Sequence, residues 1–230
     1  MRFISTLLCA AIALSWSATA AVATAQAAEP QNGVQYLTLP DVQNTDSGTK
    51  VEVTEFFAYY CPHCDRFEPL LAAWVKKQGD NIVFRRVHVG SGPGVLPQQK
   101  LFYTLEALGL LDQYHAKAFE AMHVQRLRLA SDKEVFDWAA TAGIDRAKFV
   151  DAYNSFGVQA KLRRAQRMMA EYRIDSWPTV AVGGRYVTSP TQAGEGAQGS
   201  QTELQLQQSS LGVMDFLVAK AKAEKNAEKK

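Results

Sequence analysis

Apolar positions change their spacing several times along this chain, and each change marks an element. Residues 34–39 hold a short apolar alternation that predicts a strand, and Gly48 then breaks the chain. Residues 51–60, VEVTEFFAYY, are rich in β-branched and aromatic side chains and predict a buried strand. From Pro62 the spacing turns helical, through Phe67, Leu70, Leu71, Trp74 and Val75, until Gly79-Asp80 stops it. Residues 82–89, IVFRRVHV, predict the next strand. Strand, helix and strand with short connections imply a right-handed crossover onto a parallel pair.

A loop, GSGPGVLP, leads into a long helical stretch. Residues 98–109 and 110–124 predict two helices. Ser131 with Glu134 forms a capping box ahead of Val135, Phe136 and Trp138. Asp145 can cap a further short helix, and Ser155 precedes a longer one with Val158, Leu162, Ala165, Met169 and Tyr172 on one face. Strands resume only after Pro178. Residues 179–182 and 185–188 flank Gly183-Gly184, which predicts a two-residue hairpin turn. The Gly-, Gln- and Ser-rich residues 189–200 read as a mobile loop, and residues 211–222 as a closing helix.

The first 28 residues do not belong to this pattern. A short positive start, an apolar run and the small residues around Ala25-Gln26-Ala27 form a secretory signal peptide with a cleavage position near Ala27 or Ala28. The apolar run is too short for a membrane span, so no stable membrane insertion is expected. Cys9 lies within it and is expected to be removed.

Composition narrows the function classes. The chain has 230 residues, 47% hydrophobic and 21% charged, which suits a real apolar core. Its net charge of +2 argues against binding a polyanion such as nucleic acid. The lysines of residues 220–230 read as a solvated tail. Without the leader, the only cysteines are Cys61 and Cys64. A bridge between them would close so short a loop that it removes little unfolded-chain entropy, so a stabilising staple explains them poorly. A thiolate metal site would need further ligands, and no second CxxC is present.

Helix-start signals point to a third use. Pro62 suits the first helical position, which makes Cys61 the N-cap and places Cys64 one turn later on the same side. Such a spacing, about 5–6 Å, permits a disulfide. The N-cap sulfur faces unpaired backbone N–H groups and the positive helix end, and both favour thiolate. His63, in the same turn, can add charge or a hydrogen bond to sulfur. A stabilised thiolate is a good leaving group, so the disulfide would be given away readily. Cys61 is expected to be the exposed attacking and mixed-disulfide cysteine, and Cys64 the resolving one.

The segment EFFAYYCPHCDRFEP resembles the active-site region of the DsbA family of periplasmic thiol:disulfide oxidases, within the thioredoxin-fold superfamily. The central dipeptide Pro62-His63 is the one that family uses, and the resemblance covers essentially the whole chain after the leader. It implies an α/β thioredoxin fold with an inserted all-helical domain. The domains would be 29–96 and 175–230 for the thioredoxin-like part and 97–174 for the insertion. It implies a cis-proline at Pro178, with Trp177, Pro178 and Thr179 binding an extended substrate segment by strand addition. Trp177 departs from the smaller residue usual there. Glu55 matches the family's buried glutamate, whose raised pKa would let it exchange a proton with Cys64. Glu68 matches a family glutamate near the site, although a helical glutamate is more often solvated. His88, His115 and His123 have no partner at catalytic spacing and read as structural.

The resemblance further implies a periplasmic monomer without bound cofactor. Its substrates would be unfolded exported proteins with free cysteines, and its reoxidant a DsbB-type inner-membrane quinone oxidoreductase. A reductase or isomerase of the same fold, a thiolate metal carrier and a peptide-binding chaperone are the competing readings. The Pro-His dipeptide argues against a reductase, and residues 29–50 are too few for an isomerase's dimerisation domain. A chaperone would not need the dithiol.

Overall fold

The structure is a computed structural model and describes residues 29–227. The leader, with Cys9, and the last three residues lie outside the described residues.

Five strands form one mixed sheet: β1 (Leu37–Thr38), β2 (Val51–Phe57), β3 (Ile82–His88), β4 (Thr179–Val182) and β5 (Tyr186–Thr188). Their order is β1-β5-β4-β2-β3. The β2–β3 pair is parallel, because helix α1 (Pro62–Gln78) carries the chain back across the sheet. The other pairs are antiparallel. β2 has a strand on either side and helices on both faces, so all seven of its residues are buried. It ends at Phe57, three residues before the predicted end, where the chain turns towards Cys61. β1 keeps only two residues of the predicted strand.

Between β3 and β4 five helices follow in succession: α2 (Leu96–Ala107), α3 (Leu111–His123), α4 (Asp132–Thr141), α5 (Arg146–Tyr153) and α6 (Phe156–Glu171). Local chemistry starts three of them. Ser131 and Glu134 form the capping box of α4. Asp145 caps α5 and Ser155 caps α6, each accepting from a backbone N–H in the first turn. Two apolar clusters cover the faces of the sheet. Val51 and Val53 pack with Phe67, Leu71 and Trp74 of α1 and with Met214 and Leu217 of the last helix, α8 (Glu203–Ala227). Phe56 and Ala181 pack on the other side with Ala165 and Tyr172.

Three expectations are corrected here. The hairpin turn has three residues, since Val182 pairs with Tyr186, and both glycines take left-handed backbone (φ 63° and 68°). A side chain at Gly184 would strike the Gln43 carbonyl at 2.2 Å, so this glycine is obligatory. Residues 189–200 are not wholly loop, because Ser189 caps a short helix, α7 (Pro190–Ala193). The terminal lysines are not all solvated. Lys225 sits on α8 and donates to Ser47 Oγ and to the Gly48 and Lys50 carbonyls at 2.7–3.2 Å.

Candidate active site

The loop after β2 delivers both cysteines to the N-terminus of α1. Cys61 is the N-cap, and its sulfur accepts the Cys64 N–H at 3.3 Å. Pro62 occupies the first turn, where it has no backbone bond to lose. Cys61 and Cys64 are free thiols. Neither is open to solvent: Cys61 is 5% exposed and Cys64 fully buried. The expectation of an exposed Cys61 is therefore corrected. The Trp177 carbonyl lies 3.6 Å from its sulfur, and the half-buried Trp177 meets the Tyr60 ring edge-on at 6.2 Å.

The two sulfurs differ in proton affinity. The Cys64 thiol donates to the Cys61 sulfur and pulls its pKa down to about 6. Burial opposes this, but the backbone N–H groups of Cys64 and His63 and the His63 charge assist it. Cys64 moves the other way, strongly upward, through burial, the thiol bond to Cys61 and the repulsion of Cys61 and Glu55. Of the two contributions expected of His63, its charge acts on the sulfur and a ring hydrogen bond does not. Its Nδ1 lies 2.8 Å from Glu203 Oε1 at the start of α8, and Arg66 donates to the same carboxylate at 2.7 Å. The geometry aims the imidazole at the nearest carboxylate and leaves the backbone N–H for the sulfur.

Pro178 faces the pair across a cis Trp177–Pro178 peptide, just before β4. Thr179 is buried, pairs with Phe56 across the ladder and donates its hydroxyl to the Ser176 carbonyl at 2.8 Å. Its hydroxyl closes this turn, and the residue also lines a recess with Ser176, Thr188 and Gln192. Beside the turn lies a groove of about 450 Å³ lined by His63, Trp177, Pro178, Gln192, Glu203 and Leu206.

Beneath the pair lies a buried ionic network. Glu55 is 1% exposed and stands directly opposite Arg86 in the β2–β3 register. Arg86 Nε donates to Glu55 at 3.0 Å, and its terminal nitrogen donates to both Glu68 oxygens at 2.7 and 2.9 Å. Burial raises Glu55 to about 8, although Arg86 opposes the shift. Glu68 is held low despite its own burial, because His115 and Arg86 favour its charge. His115 Nε2 is 3.4 Å from Glu68, and its Nδ1 is 3.0 Å from the Tyr59 hydroxyl. His88 accepts the Tyr59 N–H at 3.0 Å, and His123 Nε2 contacts the Tyr59 carbonyl at 2.8 Å.

So the sequence placed Cys61, Cys64, Pro62, His63, Pro178 and Glu55 in one region, and the structure brings them together. It missed Arg86, Arg66 and Glu203, gave Glu68 as more often solvated, and gave His115 no partner. A signal for Arg86 was present, since two arginines inside an otherwise apolar strand require buried partners.

A mixed sheet with a helical insertion, an N-capping CxxC pair and a cis-proline opposite it define a thioredoxin-fold dithiol protein. Comparison with known proteins makes this specific. The family model for the DSBA-like thioredoxin domain matches residues 52–206. A thiol:disulfide interchange protein DsbA of Burkholderia cepacia is 43% identical over 190 residues, covering 82% of this chain and 87% of that protein. Its counterpart from Pseudomonas aeruginosa is 33% identical over 162 residues, 70% of this chain and 77% of that protein. The crystal structure of Pseudomonas aeruginosa DsbA superposes with a TM-score of 0.75 at 31% identity, covering 86% of this chain and 96% of that one. The oxidoreductase DsbA of Xylella fastidiosa gives 0.73 at 26% identity, with 84% and 98% covered. The chain belongs to the DsbA-like thioredoxin domain family.

Proposed function

We propose that this protein disulfide oxidoreductase works in the oxidising direction, handing its Cys61–Cys64 disulfide to newly exported polypeptides in the periplasm. The supporting observation is the opposed pair of thiol affinities, with Cys61 lowered to about 6 and Cys64 pushed up. Stabilising the thiolate stabilises the reduced protein against its disulfide, and about 30 mV of potential corresponds to each tenfold change in a two-electron equilibrium.

An extended client segment lies along the Trp177-Pro178 turn. A client thiolate attacks Cys61 Sγ, which forms the mixed disulfide and breaks the bond to Cys64. Cys64 leaves with the electron pair and takes a proton, which Glu55 supplies because it remains protonated at neutral pH. A second client thiolate then attacks the client sulfur of the mixed disulfide and releases Cys61 as thiolate. The client has lost two electrons and the protein has gained them. A DsbB-type membrane protein passes those electrons to a quinone and restores the disulfide. Among the described residues no helix is long and apolar enough to cross a membrane, which fits a partner that supplies the membrane step.

Equilibration with glutathione across pH 5 to 8 tests the direction. Below about pH 6 reduction consumes two protons and the potential should fall about 59 mV per pH unit. Above it the slope should halve to about 30 mV, because Cys61 remains a thiolate. A potential at neutral pH near the thioredoxin value of about −270 mV, with no break near pH 6, would assign the chain to reduction instead.

A further inference from the structure

Two grooves open beside the dithiol, and the Trp177-Pro178 turn belongs to only one of them. The second, of about 430 Å³, lies on the far side of Tyr60 and is lined there by Val95, Met122, His123, Arg126 and Arg128. Tyr60 belongs to this groove and Trp177 to the first, and the two rings meet at 6.2 Å. Both grooves therefore meet at this ring pair, whose residues adjoin Cys61: Tyr60 precedes it in the chain, and the Trp177 carbonyl lies 3.6 Å from its sulfur.

The second groove holds unused binding chemistry. Arg126 and Arg128 are exposed, and among the described residues neither guanidinium has an ion pair or a hydrogen bond. No carboxylate lines the groove. Apolar surface lies beside the charge: Leu127, also in its lining, is 41% exposed, Val124 is 72% exposed, and Leu96, next to Val95, is 45% exposed. Clustered exposed apolar side chains rimmed by charge are a mark of recognition surfaces.

The segment that carries the arginines is held in place. Residues 126–130 have no regular secondary structure, yet Leu129 is fully buried and Gln98 donates to the Arg128 carbonyl at 3.1 Å. Arg126 and Leu129 take left-handed backbone, with φ 62° and 48°. Such a conformation is strained for a residue with a side chain and persists only where its surroundings enforce it. The fold thus spends strain to present two cations and an apolar edge in the groove that Tyr60, the residue before Cys61, borders. The first groove carries Glu195 and Glu203, the latter paired with His63 and Arg66, so the unpaired cations belong to the second groove alone of the two.

We propose that this cationic groove is a second arm of the client site. It takes an extended acidic segment that flanks the reacting cysteine, with an apolar side chain packed on Met122 and Leu127. The inference rests on the reading that the chain oxidises client polypeptides.

Two peptides test it, sharing one cysteine pair and one leucine but flanked by aspartates or by lysines. Each kcat/KM with the oxidised full chain is divided by that peptide's rate with the uncharged disulfide of 2-mercaptoethanol. This removes the effect of flanking charge on the peptide thiols themselves. The aspartate peptide should win by about three- to tenfold at low ionic strength, and the ratio should shrink as salt is added. The double variant R126E/R128E should invert the ratio, and R126K/R128K should keep its sign. General damage to the fold slows both peptides alike and leaves the ratio unmoved. A wild-type ratio near one, or a ratio that survives charge reversal, overturns the second arm while leaving the oxidase reading intact. Failure to oxidise either peptide overturns both.

Discussion

The two sulfurs sit one helical turn apart and live in opposite surroundings. Cys61 caps the helix, among N–H donors and against a thiol that donates to it, and is held down to about 6. Cys64 lies in the apolar interior above Glu55 and is forced upward. Dipole and capping effects fade within the first turn, whereas desolvation grows with depth. A single turn therefore suffices to separate a leaving group from a group that must be protonated. The rim of the site supplies donors, and its floor supplies a neutral acid balanced against the arginine that joins Glu55 to Glu68.

The sharpest way to break this comparison is to remove one sulfur at a time. Cys61→Ser should abolish disulfide exchange, a loss of at least about a thousandfold, because the reacting atom is gone. In Cys64→Ser, the reduced protein should instead accumulate a stable mixed disulfide at Cys61 with an oxidised peptide, visible by mass spectrometry. Equal behaviour of the two variants would erase the distinction between rim and floor.

Glu55→Gln tests the floor next. The folded carboxyl is raised from 4.5 to about 8, so the unfolded chain releases its proton first as pH rises. That contribution to stability is complete below 4.5 and is lost as pH climbs to about 8. The variant should gain stability relative to wild type over this window, with a slope of up to about 1.4 kcal/mol per pH unit. Urea denaturation of both reduced proteins at pH 5 and pH 8 measures it. Parallel pH profiles would mean that Glu55 ionises normally in the fold.

The smallest effect is expected at His63. Its ring is 62% exposed on the side-chain scale and engaged with Glu203, and its charge is the weakest of the forces that lower Cys61. His63→Ala should raise the Cys61 midpoint by under about 1 pH unit, since the backbone N–H stays in place. Thiolate absorbance during titration reports this, and a larger rise would move the source of acidity from backbone to imidazole.

Features governed by neighbours in sequence were legible from residues alone. Pro62 fixed the helix start and hence the N-cap cysteine, Ser131 and Glu134 announced their capping box, and the strand patterns of residues 51–60 and 82–89 were close to the observed limits. Features that depend on register or docking were not. Glu55 meets Arg86 because two strands align residue for residue, and Glu68 reaches the same arginine because α1 lies over that face. Composition misled at residues 189–200, where Ser189 and Pro190 start a helical turn amid loop-forming neighbours. It misled again at Lys225, whose acceptors lie about 175 residues earlier in the chain.

The clasp between Glu203 and the pair His63 and Arg66 ties the start of the last helix to the first turn of the redox helix, across some 140 residues. Gln207 adds a bond to the His63 carbonyl from the next turn. A chain of which only the first two hundred residues have been made already owns both sulfurs but lacks this fastening. The surroundings of the first turn are thus completed only by the last helix.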